Sequence, residues 1–146
     1  MVIRREQMRV FQAVSMSHFI TQLVVHLRSR YPKIPILAAG RPIPLAELPA
    51  TLIETMARFG VAKAKKYGLT WQSSLAGFTV LMFLYGPDFD RNPLVQRELT
   101  DATVPDEIRV DHLCAVIPDK VWDDIRRTQE PDGWQRACAE DGYRSA

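Results

Sequence analysis

The chain has 146 residues, of which 47% are hydrophobic and 25% charged, and its net charge is +2. Such values exclude a disordered chain and supply enough residues for one domain, 1–146, with a real core. The opening "MVIRREQMRVFQ" lacks the apolar stretch and cleavage site of a secretory signal, and the longest apolar run, "LAGFTVLMFLYG", is far too short to span a membrane.

Proline and glycine punctuate the sequence into helices. From Arg4 to Tyr31 there is neither, and Met8, Phe11, Phe19, Ile20, Leu23, Leu27 and Tyr31 fall in one sector of a helical projection. A long amphipathic helix is expected, ended by Pro32. "PKIPILAAGRPIPLAELP" follows, with its prolines closely spaced, and reads as an extended connector held to the core by Ile34, Ile36 and Leu37. A second helix is expected from about Ala50 to Tyr67, with Leu52, Ile53, Met56, Phe59 and Tyr67 on its apolar face and Gly68 as a left-handed cap. Thr70 reads as the N-cap of a third helix, Trp71 to Tyr85, whose unbroken apolar run makes it the central element, and Gly86 stops it. Asn92 and Pro93 read as the cap and first residue of a fourth helix, through about Leu99. A fifth, Pro105 to Val116, begins with acids suited to its positive end, and "PDKVWDDIRRTQE" and "PDGWQRACAED" read as two short ones. No segment alternates with the period of a strand. The expected fold is all-α, six or seven helices with a proline-rich connector.

The stretch "GPDFDRNP" poses the chemical question, because Asp88, Asp90 and Asn92 alternate in it. A calcium loop counted from Asp88 would need glycine where Pro93 stands and a glutamate where Leu99 stands. A catalytic carboxylate pair would need a nucleophile, metal or phosphate cradle beside it, and the sequence suggests none. The reading adopted is structural: Asp and Asn close turns and cap the next helix, while Phe89 plugs the core beneath. His26 lies in the apolar sector of the first helix and is expected to be a hydrogen-bonded core residue. His112 and Cys114 point apart on a helix, and no metal-ligand, triad or phosphate-loop spacing occurs. Cys114 and Cys138 are the only cysteines, so free thiols in a reducing cytoplasm are expected. These patterns point to a protein that is not an enzyme and requires no cofactor or metal.

Charge divides the chain. Residues 1–87 carry 11 Lys and Arg against three acids, whereas residues 88–146 carry eight against 14. Arg58, Lys63, Lys65 and Lys66 could line a phosphate track, but cations at a helix C-terminus are what the helix dipole favours, so a solvated helix end is preferred to a nucleic-acid surface. Trp71 reads as a core staple. Trp122 and Trp134 lie in short, acidic C-terminal helices, and Trp122 with Asp119, Asp123 and Asp124 makes the best candidate for a partner-binding patch, with Trp134 as a second anchor.

Residues 58–93, "RFGVAKAKKYGLTWQSSLAGFTVLMFLYGPDFDRNP", resemble a family of small bacterial proteins encoded beside effectors or spike components of type VI secretion and related contractile injection systems. The shared pattern is an arginine–aromatic–glycine start, a "YG-L-T" turn, an "LMF" helix and the loop Gly86, Asp88, Phe89, Asp90, Asn92 and Pro93. The opening "IRREQMRVF" is also similar, and together the two stretches cover roughly a third of the chain. The connector at residues 32–49 is longer and richer in proline than the family's, and residues 104–146 match nothing in it. The resemblance implies an accessory protein that binds a cognate secreted effector or toxin as adaptor or chaperone. The alternative is an immunity protein that occludes the toxin's active site; a DNA-binding regulator ranks third.

Overall fold

The computed structural model describes residues 15–38 and 40–139. The first part of the expected opening helix, with Met8, Phe11 and the "IRREQM" stretch, lies outside the described residues.

Helix α1, Met16–Arg30, starts at Ser15, whose hydroxyl accepts from the His18 N–H at 3.3 Å. It buries Phe19, Ile20, Leu23, Val24 and Leu27, a stripe of helical period, and Tyr31 closes it before Pro32.

The proline-rich connector departs from expectation by forming a hairpin. Strand β1, Pro35–Ala38, pairs antiparallel with β2, Arg41–Pro44, in the register Pro35↔Pro44, Ile36↔Ile43, Leu37↔Pro42 and Ala38↔Arg41. The prolines are compatible with this because they alternate. The pairs holding Pro35, Pro42 and Pro44 cannot exchange N–H bonds, so the ladder runs through Ile36↔Ile43 and Ala38↔Arg41. Gly40, at φ 80°, supplies the positive backbone angle of the turn. Prolines at alternate positions conceal the period of two, and Ile36 is the fully buried hairpin residue.

Helix α2, Ala50–Lys66, ends with Gly68 at φ 84°, as its sequence implies. Helix α3, Gln72–Tyr85, is buried without a break from Ser74 to Phe83 and forms the centre of the fold. It crosses α2 closely at Gly60, where a Cβ would stand 2.8 Å from Thr79 Oγ1. Thr70 does not cap α3. Its N–H and hydroxyl both donate to Asp106 Oδ2, at 2.7 and 2.5 Å, tying the α2–α3 turn to the next layer. Trp71 holds the N-cap position with 42% of its surface exposed, so it is no core staple: it precedes the stretch of α3 that is buried on all sides.

Gly86, at φ 105°, leads into a 3-10 turn at Phe89–Arg91 and then α4, Pro93–Leu99, whose N–H groups at Leu94 and Val95 donate to Asn92 Oδ1. Helices α5 (Asp106–Val116), α6 (Asp119–Arg127) and α7 (Gly133–Ala137) complete the layer. Arg109 of α5 gathers the carbonyls of Tyr67, Leu99 and Val104, three helix or loop ends that would otherwise lack donors. The described residues thus contain seven α-helices and one two-stranded hairpin, an all-α fold in which every helix contributes to one continuous core. No helix among them is long and apolar enough to cross a membrane.

Candidate functional site

The loop from Gly86 to Pro93 is pinned to α2 from below. Phe89 is buried against Phe78, with ring centroids 5.1 Å apart, and plugs the core as expected. Asp90 is not a turn closer. Only 4% exposed, its carboxylate turns inward, with Lys63 Nζ 2.7 Å from Oδ1 and the Tyr67 hydroxyl donating to Oδ2 at 2.6 Å. Lys63 also donates to the Pro87 carbonyl at 2.7 Å. Lys63 and Tyr67 are four apart on α2 and its C-cap, so one helix face presents both to the loop. The reading of Lys63 as part of a solvated helix end is therefore corrected, because the buried carboxylate draws it in; Lys65 and Lys66 are exposed, and Arg58 pairs with Glu54 at 3.1 Å. Burial first, and then the hydrogen bond and charge of Asp90, push the Tyr67 hydroxyl up to about 12.

Asp88 is half-buried, 3.6 Å from Arg91 Nε and 3.9 Å from Arg136. Cavities of about 270 and 290 Å³ flank the loop and share Asp88, Arg91 and Gly133. The beginning of α7 rests on the loop, since a Cβ on Gly133 would meet Pro87 Cγ at 3.2 Å. Among the described residues no three His, Cys, Asp or Glu side chains come together as a metal site.

The expected partner patch is divided by the fold. Trp122 and Trp134 are 6% and 4% exposed, and both pack chiefly into the core. Trp122 stacks on Tyr85 with centroids 4.6 Å apart, and Trp134 meets Phe83 at 5.2 Å and Phe59 edge-on at 6.4 Å. Short C-terminal helices have little core of their own, so their aromatics complete that of α2 and α3. The acids do face outward. Asp119 and Asp123 are exposed, Asp119 in the first turn of α6, and Asp124 is held by Arg127 at 2.6 Å.

His26 is half-buried edge-on to Tyr31, and burial, then Arg30, lowers its pKa. The hydrogen bond expected of it is not found, for its Nε2 has no partner among the described residues. His112 lies 3.4 Å from Glu98. Both cysteines are half-buried free thiols raised by burial, Cys114 to about 11.

A second feature was missed in the sequence. A groove of about 510 Å³ runs between β1, the first turns of α2 and α7, lined by Leu37, Ala38, Leu52, Thr55, Met56 and Trp134 among others. No described residue lining it is charged. Leu52, assigned to the core face of α2, instead stands 37% exposed on the groove wall. Its residues come from three distant segments, and the hairpin that supplies one wall carried no strand pattern. Only the apolar stripe of α2 pointed toward it.

Comparison with protein-family models, curated proteins and solved structures finds no match to this chain.

Proposed function

We propose that this chain is a non-catalytic, protein-binding accessory of a type VI secretion toxin locus, acting as the adaptor or chaperone of a cognate effector. The resemblance of residues 58–93 suggests the setting. The observation that carries the binding role is the uncharged groove between β1, α2 and α7, which offers an apolar segment a place to leave water on a framework of packed helices. The loop at residues 86–93 serves as framework in this reading, since Asp90 is engaged by Lys63 and Tyr67.

An immunity role has one observation in its favour: the exposed acids Asp119 and Asp123 could meet a basic toxin cleft. Co-expression with each neighbouring gene product, followed by pull-down, separates the two. An adaptor loses its partner with Leu52→Lys and keeps it with Asp119→Lys, Asp123→Lys; an immunity protein shows the reverse, and its gene becomes dispensable only when the toxin gene is deleted. Capture of no neighbour by the wild-type chain would refute both.

A further inference from the structure

We infer that the groove takes an extended, uncharged peptide segment of the partner, added as a third strand to the outer edge of β1; the segment's origin in an effector rests on the adaptor reading above. The hairpin's two edges differ in what they offer a strand. In an antiparallel pair, residues that do not exchange ladder bonds turn their N–H and C=O outward. On β2 those residues are Pro42 and Pro44, which have no N–H, so that edge cannot receive a strand in register. On β1 they are Pro35 and Leu37, leaving the Leu37 N–H as the one outward donor. No hydrogen bond among the described residues reaches it.

The groove lies on this same edge. Its lining includes Ile36, Leu37 and Ala38 from β1 and no residue of β2. A segment seated there bonds Leu37 through its main chain and sets alternate side chains against Leu52, Met56 and Trp134. Four-residue β1 spans about 13 Å, so it registers roughly four residues of the guest. The uncharged lining offers a charged guest side chain no counter-ion, so those facing the groove are apolar.

The probe is an acetylated, amidated hexapeptide of alternating valine and threonine, flanked by lysines and titrated into the full chain while amide spectra are recorded. Saturable shifts are expected at Ile36, Leu37, Ala38, Leu52 and the Trp134 indole. N-methylation of alternate residues in one phase should weaken binding about tenfold, as loss of main-chain hydrogen bonds implies, while the opposite phase binds normally. Leu37→Pro removes the outward donor at a position whose cross-strand partner is already proline, and should weaken the peptide similarly; Leu37→Val should not. Should Leu37→Pro disturb the hairpin, Leu52→Lys and the methylated peptides test strand addition independently. Equal binding of both methylated phases, or no saturable shift, overturns strand addition. Protection of the groove by residues 1–14 or 140–146, or by a concentration-dependent dimer, overturns the partner as occupant. Seating of the peptide without capture of any neighbouring gene product removes the adaptor reading and leaves the site. Equal capture by wild type and Leu37→Pro, with loss in Leu52→Lys, removes strand addition as the effector's mode of binding and leaves the adaptor reading; equal capture by all three removes both.

Discussion

Replacing Asp90 by asparagine isolates the charge of the buried pair while keeping its shape. The Asp90 side chain is 5% exposed and the Lys63 side chain 18%, so both lie largely out of water. The amide oxygen of the asparagine could still accept from Tyr67, but the ammonium would keep only the Pro87 carbonyl and the face of the Phe59 ring, 5.7 Å from its centroid. Removing one member of a buried pair costs roughly 3–5 kcal/mol, because the other charge is left uncompensated. The partial exposure of Lys63 and its carbonyl contact place the expected loss at the lower end, about 3 kcal/mol. With a urea slope of about 2 kcal/mol/M, the unfolding midpoint should fall by about 1.5 M. Circular dichroism during urea denaturation reads this directly. The double variant Asp90→Leu, Lys63→Met should recover most of the loss, since replacing both partners by apolar groups is often neutral. A single-variant shift under about 0.3 M would show the pair behaving like a surface salt bridge, and burial would not be what sets its strength.

Gly60→Ala should destabilise by about 1–2 kcal/mol, overpacking against the fully buried Thr79 outweighing the helix propensity gained; a higher melting temperature would contradict the close crossing. Trp122→Ala should cost about 3–5 kcal/mol in urea unfolding, and partner capture lost at unchanged stability would return Trp122 to the surface role. The raised pKa of Tyr67 means folding favours its neutral hydroxyl, so its contribution is complete below about pH 10 and is lost as pH rises toward about 12. Urea midpoints across that window should therefore decline less steeply in Tyr67→Phe than in wild type. Cys114, raised to about 11, should be alkylated by iodoacetamide at pH 8 at least about tenfold more slowly than free cysteine, as peptide mapping can follow.

What the sequence by itself determined was local. Proline and glycine act through their own backbone angles, so the ends of α2 at Gly68 and α3 at Gly86, and the start of α4 at Asn92 and Pro93, could be read without knowing their neighbours. The burial of α3 followed as well, because a helix apolar on every side has nowhere to go but the centre. What only the tertiary structure decided were the relations between segments distant in the chain. Thr70 had the chemistry of a cap but found Asp106, and Asp90 had that of a turn but found Lys63 and Tyr67. Trp122 and Trp134 looked like surface anchors because their own short helices offer no core, until α3 and α2 supplied it. The groove belongs wholly to this second kind, since Leu37, Leu52 and Trp134 become one apolar wall only when the hairpin, α2 and α7 meet. A polar or aromatic side chain has several partners of nearly equal strength open to it, and packing, which depends on the whole chain, selects among them.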